Sequence, residues 1–74
     1  MKIIVTVPIG SELWALNGTI FDVIELIVDD DAVVPVTREQ YTSIGESMST
    51  YNGRLVVFKE EYTLYKEQSK IEVD

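Results

Sequence analysis

The stretch "TIFDVIELIV", Thr19 to Val28, decides how the rest of this chain folds. Its composition is that of a strand, rich in Ile, Val, Phe and Thr. Its spacing also suits a helix. At helical period Asp22, Glu25 and Asp29 fall on one stripe, and Ile20, Val23, Ile24 and Ile27 on the opposite one. Half of these residues are β-branched, which disfavours a helix. Asn17-Gly18 immediately precedes the stretch, and Asn-Gly between apolar segments is a strong hairpin signal. Composition and turn agree, so the reading is strand. A two-residue loop at Asn17-Gly18 then pairs it with the short segment Glu12–Leu16 and sets Trp14 opposite Phe21.

Working outward, Lys2–Val7 is a continuous β-branched run and reads as a strand ended by Pro8-Ile9-Gly10. Ala32–Val36 reads as another strand, and Pro35 marks it as an edge because proline cannot donate to a ladder. Thr37 with Gln40 forms a capping-box pattern. Behind it Tyr41, Ile44, Met48 and Tyr51 recur on one helical face, giving a helix near 38–50 that Asn52-Gly53 stops. Leu55–Phe58 and Tyr62–Lys66 read as the closing strands, with Ile4, Val7, Ile24, Ile44 and Phe58 expected in the core.

The expected fold is therefore α+β: a small antiparallel sheet, partly closed in the manner of an SH3-like barrel, with one helix. The alternative makes 19–28 a second helix. In that case "MKIIV" followed by "TIFDVIELI" resembles the start of a ubiquitin-like β-grasp. Residues 1–67 are expected to form one compact domain and 68–74 a frayed C-terminal tail.

Seventy-four residues bury only about 60% of their unfolded surface, so the core is small. No cysteine is present to staple it, which suits a reducing, cytoplasmic setting. The run after Met1 is too short for a signal peptide, and no apolar run approaches the length of a membrane span. With 46% hydrophobic residues the chain is a folding one.

Charge is the strongest functional signal. Thirteen acidic residues against six basic ones give a net charge of −7. No Lys or Arg lies between Lys2 and Arg38, and Glu12, Asp22, Glu25, Asp29, Asp30 and Asp31 fall in that gap. Such a field opposes direct binding of nucleic acid or an anionic membrane and favours basic partners.

Chemistry is poorly provided for. There is no His and no Cys, so the usual general base, thiol nucleophile and zinc ligands are missing. "DDDAVVPVT" lacks the Gly and distal Glu of a calcium loop, and the scattered glycines make no phosphate cradle. The expectation is no enzyme, no metal site and no cofactor. A turn explains one or two consecutive aspartates. Three without a basic neighbour point to one exposed negative patch formed with Asp22, Glu25 and Glu12. A secondary contact region is expected at Glu60, Glu61, Tyr62 and Tyr65, where tyrosines sit beside charge. In size and composition the chain is similar to phage-type host-takeover proteins. That likeness implies an inhibitor that mimics nucleic-acid charge and occupies the basic surface of a DNA- or RNA-binding protein. The competing reading is a neutral adaptor or homodimeric assembly subunit whose charge serves only solubility.

Overall fold

The computed structural model describes residues 1–66; the expected frayed tail at 68–74 lies outside them. Among the described residues six strands form two small antiparallel sheets with few helices, a mixed α+β or mostly β architecture. One sheet has the order β2-β1-β6, built from Ile20–Asp22, Lys2–Val5 and Tyr62–Tyr65. The other has the order β3-β4-β5, built from Glu25–Leu26, Ala32–Pro35 and Arg54–Val57.

Within Thr19–Val28, Ile20–Asp22 and Glu25–Leu26 are strands, as the composition indicates, and the helical alternative for 19–28 is not adopted. It serves both sheets. The Val23 amide donates to the Met1 carbonyl at 2.9 Å, continuing the β1–β2 ladder. The next amide, Ile24, donates the other way, to the Val33 carbonyl on β4 at 2.7 Å. The chain bends at Ile24, between β2 and β3, so one ribbon stitches two sheets together at a single step.

Asn17-Gly18 is a turn, with Gly18 at φ 85°, but the hairpin partner is not 12–16. Trp14–Leu16 forms a single helical turn, Trp14 is exposed, and Phe21 pairs with Ile3. The Asn17 side chain accepts from the Val7 amide at 2.9 Å, and the Gly18 amide donates to the Val5 carbonyl at 2.8 Å. The turn thus delivers the ribbon onto β1.

The expected edge strand, Ala32–Val36, is central instead: β4 lies between β3 and β5. Pro35 is tolerated there for a geometric reason. The Val36 amide donates toward β5, to the Gly53 carbonyl at 3.0 Å. By alternation the Pro35 nitrogen faces the β3 side, beyond the point where the ribbon has left for β1. No ladder bond is forfeited. An edge at Ala32–Val36 therefore gives no ground for a homodimer.

The helix α1 spans Arg38–Ser43, much shorter than 38–50. Its capping box is formed as the sequence indicates. The Gln40 amide donates to Thr37 Oγ1 at 3.1 Å, and the Thr37 amide donates to Gln40 Oε1 at 2.8 Å. Gly45 ends it at φ 88°, a left-handed position that glycine takes without strain. Tyr41 and Tyr51 still meet, edge to face at 5.2 Å between centroids, because the chain turns again at Met48–Thr50. Tyr51 anchors that turn by donating to the Val36 carbonyl at 2.7 Å.

The core lies between the sheets and centres on Ile3, Val5, Val34 and Val57. Phe21, Ala32, Val36 and Tyr41 surround them, with Leu13 and Leu16 closing one side. Of the residues expected there, Val7 and Ile44 are half-buried against this cluster, and Ile4 is half-buried on the outer face. Ile24 and Phe58 are exposed, at 45% and 50%. The error is one of strand phase, since a shift of one residue exchanges the two faces. Ile3→Ala is expected to cost about 2–5 kcal/mol and Ile4→Ala a small fraction of that. Equal losses in urea denaturation would overturn the inward assignment of Ile3.

Candidate functional site

The aspartate triplet closes the β3–β4 hairpin. Val28–Asp30 form the loop, and the Ile27 amide donates across it to the Asp31 carbonyl at 2.8 Å. Asp29 and Asp30 both have left-handed backbones, at φ 62° and 64°. Hairpin loops of this length usually hold one residue there. Aspartate enters that region more readily than most side chains, while a β-branched residue is strained in it. Two of the three aspartates thus have a conformational reason.

The third has a bonding reason. Asp31 Oδ1 accepts the backbone amide of Lys59 at 2.9 Å, tying the hairpin to the helical turn Lys59–Glu61 that leads into β6. The Tyr62 hydroxyl on β6 donates to the Asp30 carbonyl at 2.6 Å. These two bonds join the β3–β4 hairpin of one sheet to the β6 strand of the other and the turn before it. A basic neighbour exists as well, Lys59 Nζ, at 3.9 Å from Asp30 Oδ2. Both side chains of that pair are exposed, at 67% and 64%, so the pair holds little energy. Burial, and then the Asp30 and Asp31 carboxylates, raise the Tyr62 phenol above its ordinary pKa.

The acidic residues do not form the single patch expected. Asp29, Asp30, Asp31 and Glu60 line one hollow of about 560 Å³, together with Phe58 and Lys59. Glu12 lies in a second hollow of about 160 Å³, with Glu46 and Glu61 as its other acids and Phe58 again in the wall. Exposed Phe58 therefore stands between two carboxylate-lined hollows. Asp22 belongs to neither: it faces Lys2 across the β1–β2 ladder and pairs with it at 3.3 Å. Glu25 is exposed on β3 opposite Val33, also outside both. Of the secondary set, Glu60 and Glu61 line one hollow each, Tyr62 staples the hairpin, and Tyr65 stands beside Lys2. Glu61 has a further structural task, its Oε1 accepting the Phe58 amide at 3.0 Å.

Glu46 and Phe58 escaped the sequence reading. Glu46 reaches Glu12 only through the fold. Phe58 carried a usable signal: Arg54 must face solvent, so Val56 and Phe58, at the same parity, face out with it.

A third opening of about 380 Å³ lies beside the first hollow, lined by Met1, Leu26, Tyr62 and Leu64, with Asp30 and Lys59 on the shared rim. Among the described residues no group of three or more His, Cys, Asp or Glu is placed to hold a metal ion. Among them also, no helix is long and apolar enough to cross a membrane.

Two outcomes test this account of the hairpin. Asp29 has no hydrogen bond or ion pair among the described residues, so its substitution reports on conformation and charge alone. Asp29→Gly should leave stability unchanged or raise it, and Asp29→Val should lower it by about 1–3 kcal/mol, read by denaturation. A valine variant as stable as the parent would refute the conformational account. For Tyr62 the folded pKa lies above the unfolded one, near 10. Its contribution is thus whole below the unfolded value and lost as pH climbs through the folded one. The stability gap between the parent and Tyr62→Phe should shrink over that alkaline window; a gap independent of pH would remove the hydroxyl from the staple.

No family model matches this chain, and neither does any curated protein or solved structure.

Proposed function

We propose that this chain is a small acidic, non-enzymatic binding protein that occupies the basic nucleic-acid-binding surface of a partner protein. One observation carries the reading: the two hollows that flank Phe58 are lined by seven carboxylates, Asp29, Asp30, Asp31 and Glu60 on one side and Glu12, Glu46 and Glu61 on the other. Lys59 is the single base among the lining residues. Negative charge spread over a surface with an exposed aromatic at its middle suits a basic groove that ordinarily receives phosphates and bases. Lack of His and Cys is consistent with a binding role rather than a catalytic one, and lack of cysteine with a cytoplasmic setting.

We read the architecture as a partly closed, SH3-like barrel. The support is the shared ribbon, the return of β6 to β1, and the helical turn at Lys59–Glu61 immediately before β6. Such a scaffold hosts many functions, so the functional argument rests on the charged face and not on the fold.

The test is capture of partners from a bacterial lysate at low and high salt, followed by competition with duplex DNA. The expected outcome is a nucleic-acid-binding protein, released both by salt and by the duplex. The triple variant Asp29→Asn, Asp30→Asn, Asp31→Asn keeps side chains that tolerate the loop conformation. It should bind that partner more weakly at low salt and with a flatter salt dependence. Partners that neither bind nucleic acid nor respond to the duplex would move the assignment to an adaptor whose charge serves solubility.

A further inference from the structure

Cross-strand register places two leucines of the apolar opening on the same sheet faces as the core. Leu26 stands opposite Ala32, and Leu64 opposite Ile3, both partners fully buried. Residues directly opposite one another share a face of the sheet, so Leu26 and Leu64 point inward. Yet they remain 44% and 54% exposed, on the walls of an opening that no described residue fills. Exposed side chains on an outer face are common and need no explanation. Inward-facing leucines left open to solvent are a different matter.

Charge decides what chemistry fits. The opening shares Asp30 and Lys59 with the hollow of Asp29, Asp31 and Glu60, so any occupant lies against concentrated negative charge. A second copy of the chain brings a net charge of −7 to that face. Residues 67–74 carry Glu67, Glu72 and Asp74 against Lys70 alone, so their charge too has the wrong sign for that face. A basic segment is attracted. The long, exposed Lys59–Asp30 pair shows where its cation fits, since an incoming ammonium or guanidinium can replace Lys59 at little cost.

We propose that this opening receives a large apolar side chain from a basic peptide segment of the partner, with a neighbouring Lys or Arg seated among Asp29, Asp30, Asp31 and Glu60. The inference rests on the acidic-binding reading above and adds to it the motif recognised, an apolar residue beside a cation. Burying one such side chain should favour the apolar peptide by about tenfold or more over an equally charged polar one.

The experiment uses the full chain with labelled Leu, Ile, Val and Met methyls, and two synthetic probes of equal length and charge, one alternating Lys with Leu and one alternating Lys with Ser. The Lys–Leu peptide should bind at least about tenfold more tightly and shift the Leu26 and Leu64 methyls. Leu64→Ser should abolish that preference while leaving Lys–Ser binding unchanged; Leu26→Ala gives a second, independent variant. Equal affinities for the two peptides would overturn the inference and leave the charge reading standing. Binding of neither, even at low salt, would overturn both. Contacts from Ile71 or Val73 to the Leu64 methyls that persist with peptide present would assign the opening to the chain's own end. Concentration-dependent dimers lost in Leu64→Ser would assign it to a second copy. Either result would also overturn the inference.

Discussion

Two consecutive backbone amides hold this structure in its form. Val23 donates to Met1 and Ile24 to Val33, so the ribbon between Ile20 and Leu26 must belong to both sheets. Everything else follows from that step. It brings β1 and β6 to face β4 and β5, and the apolar residues between them become the core. No disulfide is present to do the same work. The sharing also has a cost. Where the ribbon has become β3, the inward-facing Leu26 is left half-covered, as is Leu64 on β6.

The aspartate triplet meets structural requirements and also lines the hollow on which the proposed function rests. Each residue has a local reason: a left-handed backbone at Asp29 and Asp30, a hydrogen bond to the Lys59 amide at Asp31. Three adjacent aspartates therefore do not by themselves indicate a binding site. What local geometry leaves unexplained is their company. The same staple that bonds Asp31 to Lys59 carries Glu60 into the hollow and turns Glu61 to the other side of Phe58, toward Glu12 and Glu46. Like charges gathered in this way repel, and local hydrogen bonds account for few of them. The functional reading rests on that residue of unexplained charge.

Several elements were legible in the sequence because their causes are local. The capping box at Thr37 and Gln40 needs only its own four residues. The Asn17-Gly18 turn needs only its own backbone, and its partner was misjudged because a single helical turn at 14–16 took the place of the expected strand. Strand phase was harder. "KIIV" is apolar at both parities after Lys2, and uniform hydrophobicity hides which face is inward. The charged end residue holds the answer in both β1 and β5. Lys2 outward puts Ile3 and Val5 in, and Arg54 outward puts Leu55 and Val57 in and Phe58 out. The centrality of β4 and the meeting of Glu12 and Glu46 in one hollow are long-range features of the fold, and no local pattern announces them.

The adjacency of the charged and apolar openings also bears on how a surface of this kind holds a partner. Exposed carboxylates act at a distance and raise the rate of encounter, but in water and salt they contribute little once contact is made. Retention requires apolar area withdrawn from water or a well-desolvated pair. Here the two are joined through the same two side chains. Lys59 and Asp30 stand on the boundary, exposed and loosely paired, so the boundary opens without breaking the hydrogen bonds at Asp31 and Tyr62 that secure the hairpin. The backbone contacts fix the shape of the site, while its charges remain free to exchange partners.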